Sequence, residues 1–277
     1  MVIRDSDVHL DRPLPPIGFG LDELDDRQVA SLIPMAWEAG FRAFDTAQLY
    51  GNEASLGHTL RGIGMSRTEV FVTTKVMNSH FSESRFLPSV QQSLERLDLD
   101  FVDLLLVHWP GHGMPIERQI ELLNEARARG LTRHIGVSNY NSTQLARAVE
   151  ISEAPIATNQ VEIHPYLDQS TLRQQAHSLG VPLTGFFVMA MGAVPHDPIL
   201  ARIGETHGKN AAQVVLRWVH QKGDVPLTRT TQPKRIPENI AIFDFALSAD
   251  EMAVIDSLAR PGGRILSPDN LAPHWDE

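Results

Sequence analysis

The sequence predicts an α/β protein of one domain spanning residues 1–277, a (β/α)8 TIM barrel built on a parallel sheet. Three observations lead there. Apolar runs of strand length alternate with amphipathic segments along the chain, the pattern of repeated βα units. Eight such runs can be counted, and eight parallel strands with returning helices close a barrel. A length of 277 residues, 42% of them hydrophobic, supplies one large core and suits α/β barrels that run as single domains. No linker, low-complexity tract or block of like charge divides the series.

The strands are read in order as Ile17-Gly18-Phe19, Arg42-Ala43-Phe44, Val70-Phe71-Val72-Thr73, residues 102–107, His134-Ile135-Gly136-Val137, Ala157-Thr158-Asn159-Gln160-Val161, residues 183–188, and Val225-Pro226-Leu227-Thr228. Between them the apolar residues fall at helical spacing: Leu56, Leu60 and Ile63, then Val90, Leu94 and Leu97, then Leu172, Ala176 and Leu179. Gly40, Gly130 and Gly180 stand where these helices should stop, as left-handed residues just past a helix end. Residues 210–222 form an additional amphipathic helix before the last strand, with Val215, Leu216 and Val219 on its apolar face. The preceding Gly204 to Asn210 stretch looks like a phosphate-binding loop, but has one residue too few between its glycines and Asn after Lys209. It is read as a turn between helices.

Periodicity does not fix strand order or closure, and an open doubly wound sheet would give the same alternation. That alternative lacks its usual nucleotide loop. No G-x-G-x-x-G follows any strand, and Gly18-Phe19-Gly20-Leu21-Asp22-Glu23 supplies only the first two glycines.

Composition narrows the partners. The formal net charge of −10 is spread over both signs without a basic stripe, so nucleic acid is not expected to bind. Residues 1–12 mix charges and lack a signal-peptide core, and nowhere do about 18 apolar residues run together. A soluble cytoplasmic protein with no membrane partner is expected. The absence of cysteine excludes disulfides, thiol catalysis and cysteine-based metal sites. His108 and His112 are four apart, but Pro110 and Gly111 between them prevent a shared helical face, and no metal is expected.

The chemistry collects at strand ends. Asp45 and Tyr50 lie in Asp45-Thr46-Ala47-Gln48-Leu49-Tyr50-Gly51-Asn52-Glu53 after the second strand, Lys75 ends the third apolar run, and His108-Trp109-Pro110 ends the fourth. Further motifs follow in Gly136-Val137-Ser138-Asn139-Tyr140, Asn159-Gln160-Val161-Glu162-Ile163-His164-Pro165 and Arg235-Ile236-Pro237-Glu238-Asn239. Taken together and in this order, these motifs resemble those of the aldo-keto reductases almost end to end. With the tail Leu271-Ala272-Pro273-His274-Trp275-Asp276, they are similar to the bacterial 2,5-diketo-D-gluconate-reductase-like branch.

The resemblance implies a TIM barrel with a catalytic tetrad of Asp45, Tyr50, Lys75 and His108 at the carboxyl ends of its strands. Tyr50 would be the general acid, Lys75 would lower its pKa, Asp45 would hold Lys75, and His108 would orient the carbonyl. A structural ion pair at the barrel rim is the plain account of Lys75 and Asp45, and is compatible with tuning Tyr50. The implied cofactor is NADPH, its carboxamide held by Ser138, Asn139 and Gln160, with Phe186 stacked on the ring. An ordinary core phenylalanine would read the same way at Phe186. At the adenosine end, Arg229, Thr230, Arg235, Glu238 and Asn239 stand in the family register, and two guanidiniums near a helix start suit a phosphate. His164 is read as structural.

Departures from the family pattern bear on the substrate. Asp22 stands where an aromatic residue is usual, Met77 where Trp is, and only Trp109 of the aromatic lining is retained. Phe187-Val188 replaces a Ser-Pro pair, which leaves the pyrophosphate's partners open. Short loops after His108 and Gly192 imply an open, partly polar pocket. The expected reaction is NADPH-dependent reduction of a small aldehyde or ketone by a monomer. The same site run as an alcohol dehydrogenase, and a cofactor-binding regulatory protein on this fold, are the alternatives.

Overall fold

The computed structural model describes residues 14–111 and 113–276; the segment 1–12 and His112, weighed above, lie outside the described residues. Eight parallel strands close in sequence order: β1 (Gly18–Gly20), β2 (Ala43–Asp45), β3 (Phe71–Val76), β4 (Val102–Val107), β5 (Thr132–Ser138), β6 (Ile156–Glu162), β7 (Leu183–Phe186) and β8 (Val225–Thr228). Because β1 pairs with both β2 and β8, the sheet has no edge and the doubly wound alternative is excluded. Every strand falls on one of the eight apolar runs. β3 continues to Val76 and β5 begins at Thr132, each past the run that marked it.

The returning helices are α1 (Asp26–Ala39), α2 (Glu53–Gly62), α3 (Phe86–Leu97), α4 (Ile116–Ala128), α5 (Ser142–Ile151) and α6 (Ser170–Ser178). Between β7 and β8 stand α7 (Pro198–His207) and α8 (Ala211–Gln221), joined by the turn that resembled a phosphate loop. After β8 come α9 (Arg235–Ile240) and α10 (Ala249–Asp256). Local chemistry sets their ends. Asp25 accepts from the Gln28 amide while Gln28 returns the bond to the Asp25 amide, a reciprocal cap that starts α1. Gly40 stops it with φ 109°, a left-handed conformation that costs glycine little.

The main core lies between sheet and helices, where Leu105 and Val107 of β4 meet residues such as Val90, Leu94 and Ile120. Inside the barrel Leu104, Leu106 and Ala157 form a smaller cluster with Leu14 and Phe71. The alternation along β4 therefore sends successive leucines to opposite faces. Gly136 is required by crowding there: a Cβ would come within 2.7 Å of the Leu106 side chain and 2.8 Å of the Thr158 carbonyl oxygen. Among the described residues no helix is long and apolar enough to cross a membrane, and no group of three or more acidic or histidine side chains could hold a metal.

Candidate active site

Strand register brings the four titratable residues together. Asp45 ends β2 and pairs with Thr73 of β3, two residues before Lys75, so both side chains reach the carboxyl-terminal end of the barrel. Lys75 is fully buried and its Nζ pairs with the Asp45 carboxylate, donates to the Thr46 carbonyl at 3.0 Å, and reaches the Tyr50 hydroxyl at 3.3 Å. His108, just past β4, presents its ring edge-on to Tyr50 at 5.7 Å between centroids.

The electrostatics differ in one respect from the expectation. Burial pushes the Tyr50 hydroxyl up to about 12, and the Lys75 cation, which works in the lowering direction, does not overcome it. Desolvation by the assembled barrel is not visible in sequence spacing. For Lys75 burial acts to lower the pKa, but Asp45 and Tyr50 together hold it above its ordinary value. His108 is pushed down to about 3 by burial and by Lys75, so it is a neutral imidazole at physiological pH.

A chain of hydrogen bonds ties this cluster to the next three strands. Gln160 on β6 donates through Nε2 to the second Asp45 oxygen at 2.7 Å. Ser138, the last residue of β5, donates to the Gln160 carbonyl at 2.8 Å and accepts from Asn139 Nδ2 at 3.1 Å. The same Asn139 amide donates to the His108 carbonyl at 3.0 Å, and Asn139 holds a left-handed φ of 63°. Its Oδ1 is buried with no partner among the described residues, as is His108 Nδ1. An orphaned buried acceptor is costly unless a ligand donates to it. A carboxamide N–H₂ would meet that need, so Asn139 fits the nicotinamide end of a dinucleotide. Phe186 is half-buried at the end of β7; Phe187 beside it meets it edge-on at 5.1 Å and takes φ 52°.

Three loops are laced together around the mouth. Gln48 accepts from the Met77 amide at 3.0 Å, and Asn78 Nδ2 donates to the Trp109 carbonyl at 2.9 Å. Met77 is half-buried and Trp109 buried. Asp22, half-buried after β1, lies near enough to Tyr50, Lys75 and Asp45 for their charges to act on one another; burial raises its carboxyl pKa, with Arg229 and Lys75 opposing. At the far end Arg229 donates to the Asp22 carbonyl at 2.8 Å and pairs with Glu23, whereas Arg235 stands exposed at the start of α9. Thr230 accepts from the Gln232 amide at 3.0 Å. Asn239 Nδ2 donates to the Thr228 hydroxyl at 2.7 Å, and Glu238 accepts from Asn210 at 3.3 Å, so both anchor α9 to its neighbours. A cavity of about 320 Å³ lined by Arg67, Leu94, Asp98 and Phe101 lies at the opposite rim, before β3 and β4, and contains none of these residues.

Several functional positions were not singled out from the sequence. Asn52 accepts from Thr46 at 2.7 Å and donates to the Leu21 and Leu24 carbonyls, and buried Glu53 accepts from Thr74 at 2.6 Å while pairing with Arg96. Glu162, fully buried, accepts from the amides of Ile265 at 2.7 Å and Leu266 at 2.9 Å and from His164 Nε2 at 2.9 Å. His164 is thus part of a clasp on the carboxyl-terminal tail, the structural role expected of it. That tail returns Trp275 to Trp109, 6.3 Å between centroids, and Asp276 to the Ser142 amide and hydroxyl at 2.9 and 2.6 Å. Asn52, Glu53, Glu162 and Trp275 all sit inside the quoted motifs, but nothing in those motifs points to the contacts they make.

An eight-stranded barrel that gathers a tyrosine, a lysine, a carboxylate and a neutral histidine at its strand ends defines a class of carbonyl–alcohol oxidoreductases. Residues 16–260 match the model of the aldo/keto reductase family, and the chain belongs to that family. Its reaction is the NADPH-dependent reduction of a carbonyl to an alcohol. Among curated relatives, a protein of Salmonella typhi named methylglyoxal reductase DkgB is 35% identical over 95% of this chain and 99% of its own length. An aldo-keto reductase of a Mycobacterium species is 38% identical over 88% of this chain and 87% of its own. Among solved structures, one described as a candidate 2,5-diketo-D-gluconic acid reductase B superposes with a TM-score of 0.94 at 50% identity, covering 95% of this chain and 94% of that one. A Bombyx mori aldo-keto reductase in complex with NADP gives a TM-score of 0.83 at 31% identity over 89% of each chain.

Proposed function

We propose that the protein reduces small polar aldehydes and ketones, α-dicarbonyls of the methylglyoxal kind among them, with Tyr50 as the proton donor. The observation that carries this reading is the contact of the Tyr50 hydroxyl with a buried lysine whose charge is held by Asp45. NADPH, when bound, supplies the hydride to the carbonyl carbon.

The chain's own residues do the rest. Tyr50, whose pKa burial raises to about 12, is protonated at neutral pH as an ordinary phenol would be, so the donor is loaded before the carbonyl arrives. As that proton leaves, the Lys75 cation 3.3 Å away stabilises the phenolate that remains. Asp45 keeps Lys75 charged in a site that would otherwise neutralise it. His108, neutral because its pKa is pushed down to about 3, offers an N–H to the carbonyl oxygen without titrating itself. Ser138, Asn139 and Gln160 would hold the carboxamide of the nicotinamide and Phe186 its ring; Arg229, Thr230 and Arg235 would hold the phosphate of the adenosine end, on a helix that Glu238 and Asn239 anchor.

Asp22, Met77 and Trp109 line the substrate side of this reading, which favours a small and polar carbonyl over a steroid or a large aromatic ketone. The reading takes residues 1–277 as one domain acting as a cytoplasmic monomer. The test is NADPH consumption with a panel that includes methylglyoxal, small ketones and a bulky aromatic ketone. Turnover of the small members is expected; tight NADPH binding with no turnover of any member would leave a cofactor-binding regulatory protein instead.

A further inference from the structure

We infer that the Asp22 carboxylate selects substrates by charge: the site accepts carbonyl compounds that are neutral or cationic beside the reacting carbonyl and turns away those with a carboxylate there, keto and aldehydo acids above all. The inference rests on the carbonyl-reductase reading of the Tyr50 site and adds to it the electrostatic class of the substrate.

The position of Asp22 is fixed from several sides. The amide of Leu21 donates to the Asp45 carbonyl at 2.9 Å, which sets the end of β1 against the end of β2. Asn52 clamps the same loop through the Leu21 and Leu24 carbonyls at 2.9 and 3.0 Å, and Asn52 is itself held by the hydroxyl of Thr46, next to Asp45. Arg229 donates to the carbonyl of Asp22 at 2.8 Å, and Glu23 turns the chain with a left-handed φ of 57°. A loop so tied keeps the half-buried side chain beside Tyr50.

The charges around it leave a remainder. Lys75 is matched by Asp45, and Arg229 by Glu23. Tyr50 and His108 are neutral at physiological pH. The Asp22 carboxylate has no hydrogen-bond donor among the described residues, and its surroundings are those two ion pairs. One uncancelled negative charge therefore faces the place where the carbonyl must lie. Arg264 lies over the Trp275 ring at 3.6 Å, the ring that meets Trp109, and is not among the groups acting on Asp22. A solvated surface acid would be the plain account, but such an acid would be neither half-buried nor held on a loop tied to the ends of β2 and β8. Like charges several ångströms apart, in a region between protein and water in dielectric, change an equilibrium by about tenfold, ~1.4 kcal/mol.

Three aldehydes of similar size test this: methylglyoxal is neutral, glyoxylate carries a carboxylate, and betaine aldehyde a quaternary ammonium. The readout is the ratio of kcat/KM for methylglyoxal to that for glyoxylate, and for betaine aldehyde to glyoxylate, at mildly alkaline pH and low salt. Comparing ratios between variants cancels the intrinsic reactivities of the aldehydes. Asp22→Asn should lower the methylglyoxal-to-glyoxylate ratio by about tenfold and the betaine-aldehyde-to-glyoxylate ratio by about a hundredfold, since it removes repulsion from the anion and attraction for the cation, while Asp22→Glu keeps both within about twofold of wild type. Added salt should narrow the wild-type ratios and leave those of Asp22→Asn nearly unmoved. Turnover of methylglyoxal with ratios that Asp22→Asn leaves within about twofold would overturn the inference and spare the reductase reading. No turnover of any of the three would sink that reading, and this inference with it.

Discussion

Replacing Asp45 by Asn removes one charge from a buried pair and leaves the shape of the site almost unchanged. The amide oxygen so introduced could still accept from Gln160 Nε2, as Asp45 does at 2.7 Å, and the Thr46 carbonyl still faces Lys75 Nζ at 3.0 Å. What is lost is the carboxylate that holds Lys75 charged at zero exposure. Breaking a buried pair in this way costs about 3–5 kcal/mol. A second route gives a similar figure: keeping a lysine neutral at pH 7 against an unfolded pKa of ~10.4 costs ~4.6 kcal/mol. The two estimates differ in their pH dependence, and that decides the matter. In wild type the folded pKa of Lys75 is raised, so its contribution is fully present below the unfolded pKa and is lost only as pH rises through the folded value. In the variant Lys75 is neutral when folded, the unfolded chain binds one proton more, and stability rises with pH by ~1.4 kcal/mol per unit up to about pH 10. Urea unfolding of both proteins from neutral to alkaline pH should therefore give a gap of about 3–5 kcal/mol near pH 7 that narrows steadily as pH rises. A gap below about 1 kcal/mol, or one that stays constant across the series, would refute the claim that Asp45 holds the charge on Lys75.

Three further outcomes are expected. With its folded pKa at about 3, His108 should contribute no limb near pH 6.5 to the kcat profile, and a limb there that His108→Gln abolishes would contradict its neutrality. The same depression makes the unfolded chain take up the proton first, so stability from this group is complete above ~6.5 and falls by ~1.4 kcal/mol per pH unit toward the folded value. Arg229→Ala with Arg235→Ala should weaken NADPH binding by at least about tenfold and NADH binding little, since charged hydrogen bonds contribute about 1.5–3 kcal/mol each; equal loss of both cofactors in titrations would remove these arginines from the 2′-phosphate. Glu162→Gln should loosen the tail, raising proteolysis after residue 264 and costing about 2–4 kcal/mol in urea unfolding, because its carboxylate accepts from two tail amides; unchanged cleavage would show that the clasp is not what holds Trp275 at Trp109.

Most of what positions the chemistry was legible because strand ends carry it. Asp45, Lys75 and His108 close apolar runs, and parallel pairing without gaps brings such ends to one face of a barrel; that they form a tetrad with Tyr50 came from the resemblance to the aldo-keto reductases. The second half of the motif around Asn52 and Glu53 was visible as letters but not as physics: Asn52 bonds to the loop after β1 and Glu53 to β3 and α3, and those partners lie in other βα units. The tail shows the limit most clearly. Ile265 and Leu266 meet Glu162 about a hundred residues away in sequence, and no period or spacing encodes that contact. Net pKa directions were hidden for a similar reason. Lys75 was read as lowering Tyr50, which is its direction, but the size of the opposing desolvation depends on packing from every side. Arg229 was placed by register at the cofactor, and its pairing with Glu23 across the closed barrel emerges only once β8 lies beside β1.

The central claim is that Tyr50 gives the proton, and a single-turnover comparison of wild type with Tyr50→Phe tests it most directly. The substitution removes one oxygen, leaves the Lys75–Asp45 pair intact, and does not touch Ser138, Asn139 or Gln160. With methylglyoxal and enzyme preloaded with NADPH, the rate of NADPH consumption should fall by ~10²–10⁴, the usual worth of general acid catalysis, while the Kd for NADPH changes by less than about twofold. A variant that keeps more than about a third of the wild-type single-turnover rate would take the proton-donor role away from Tyr50.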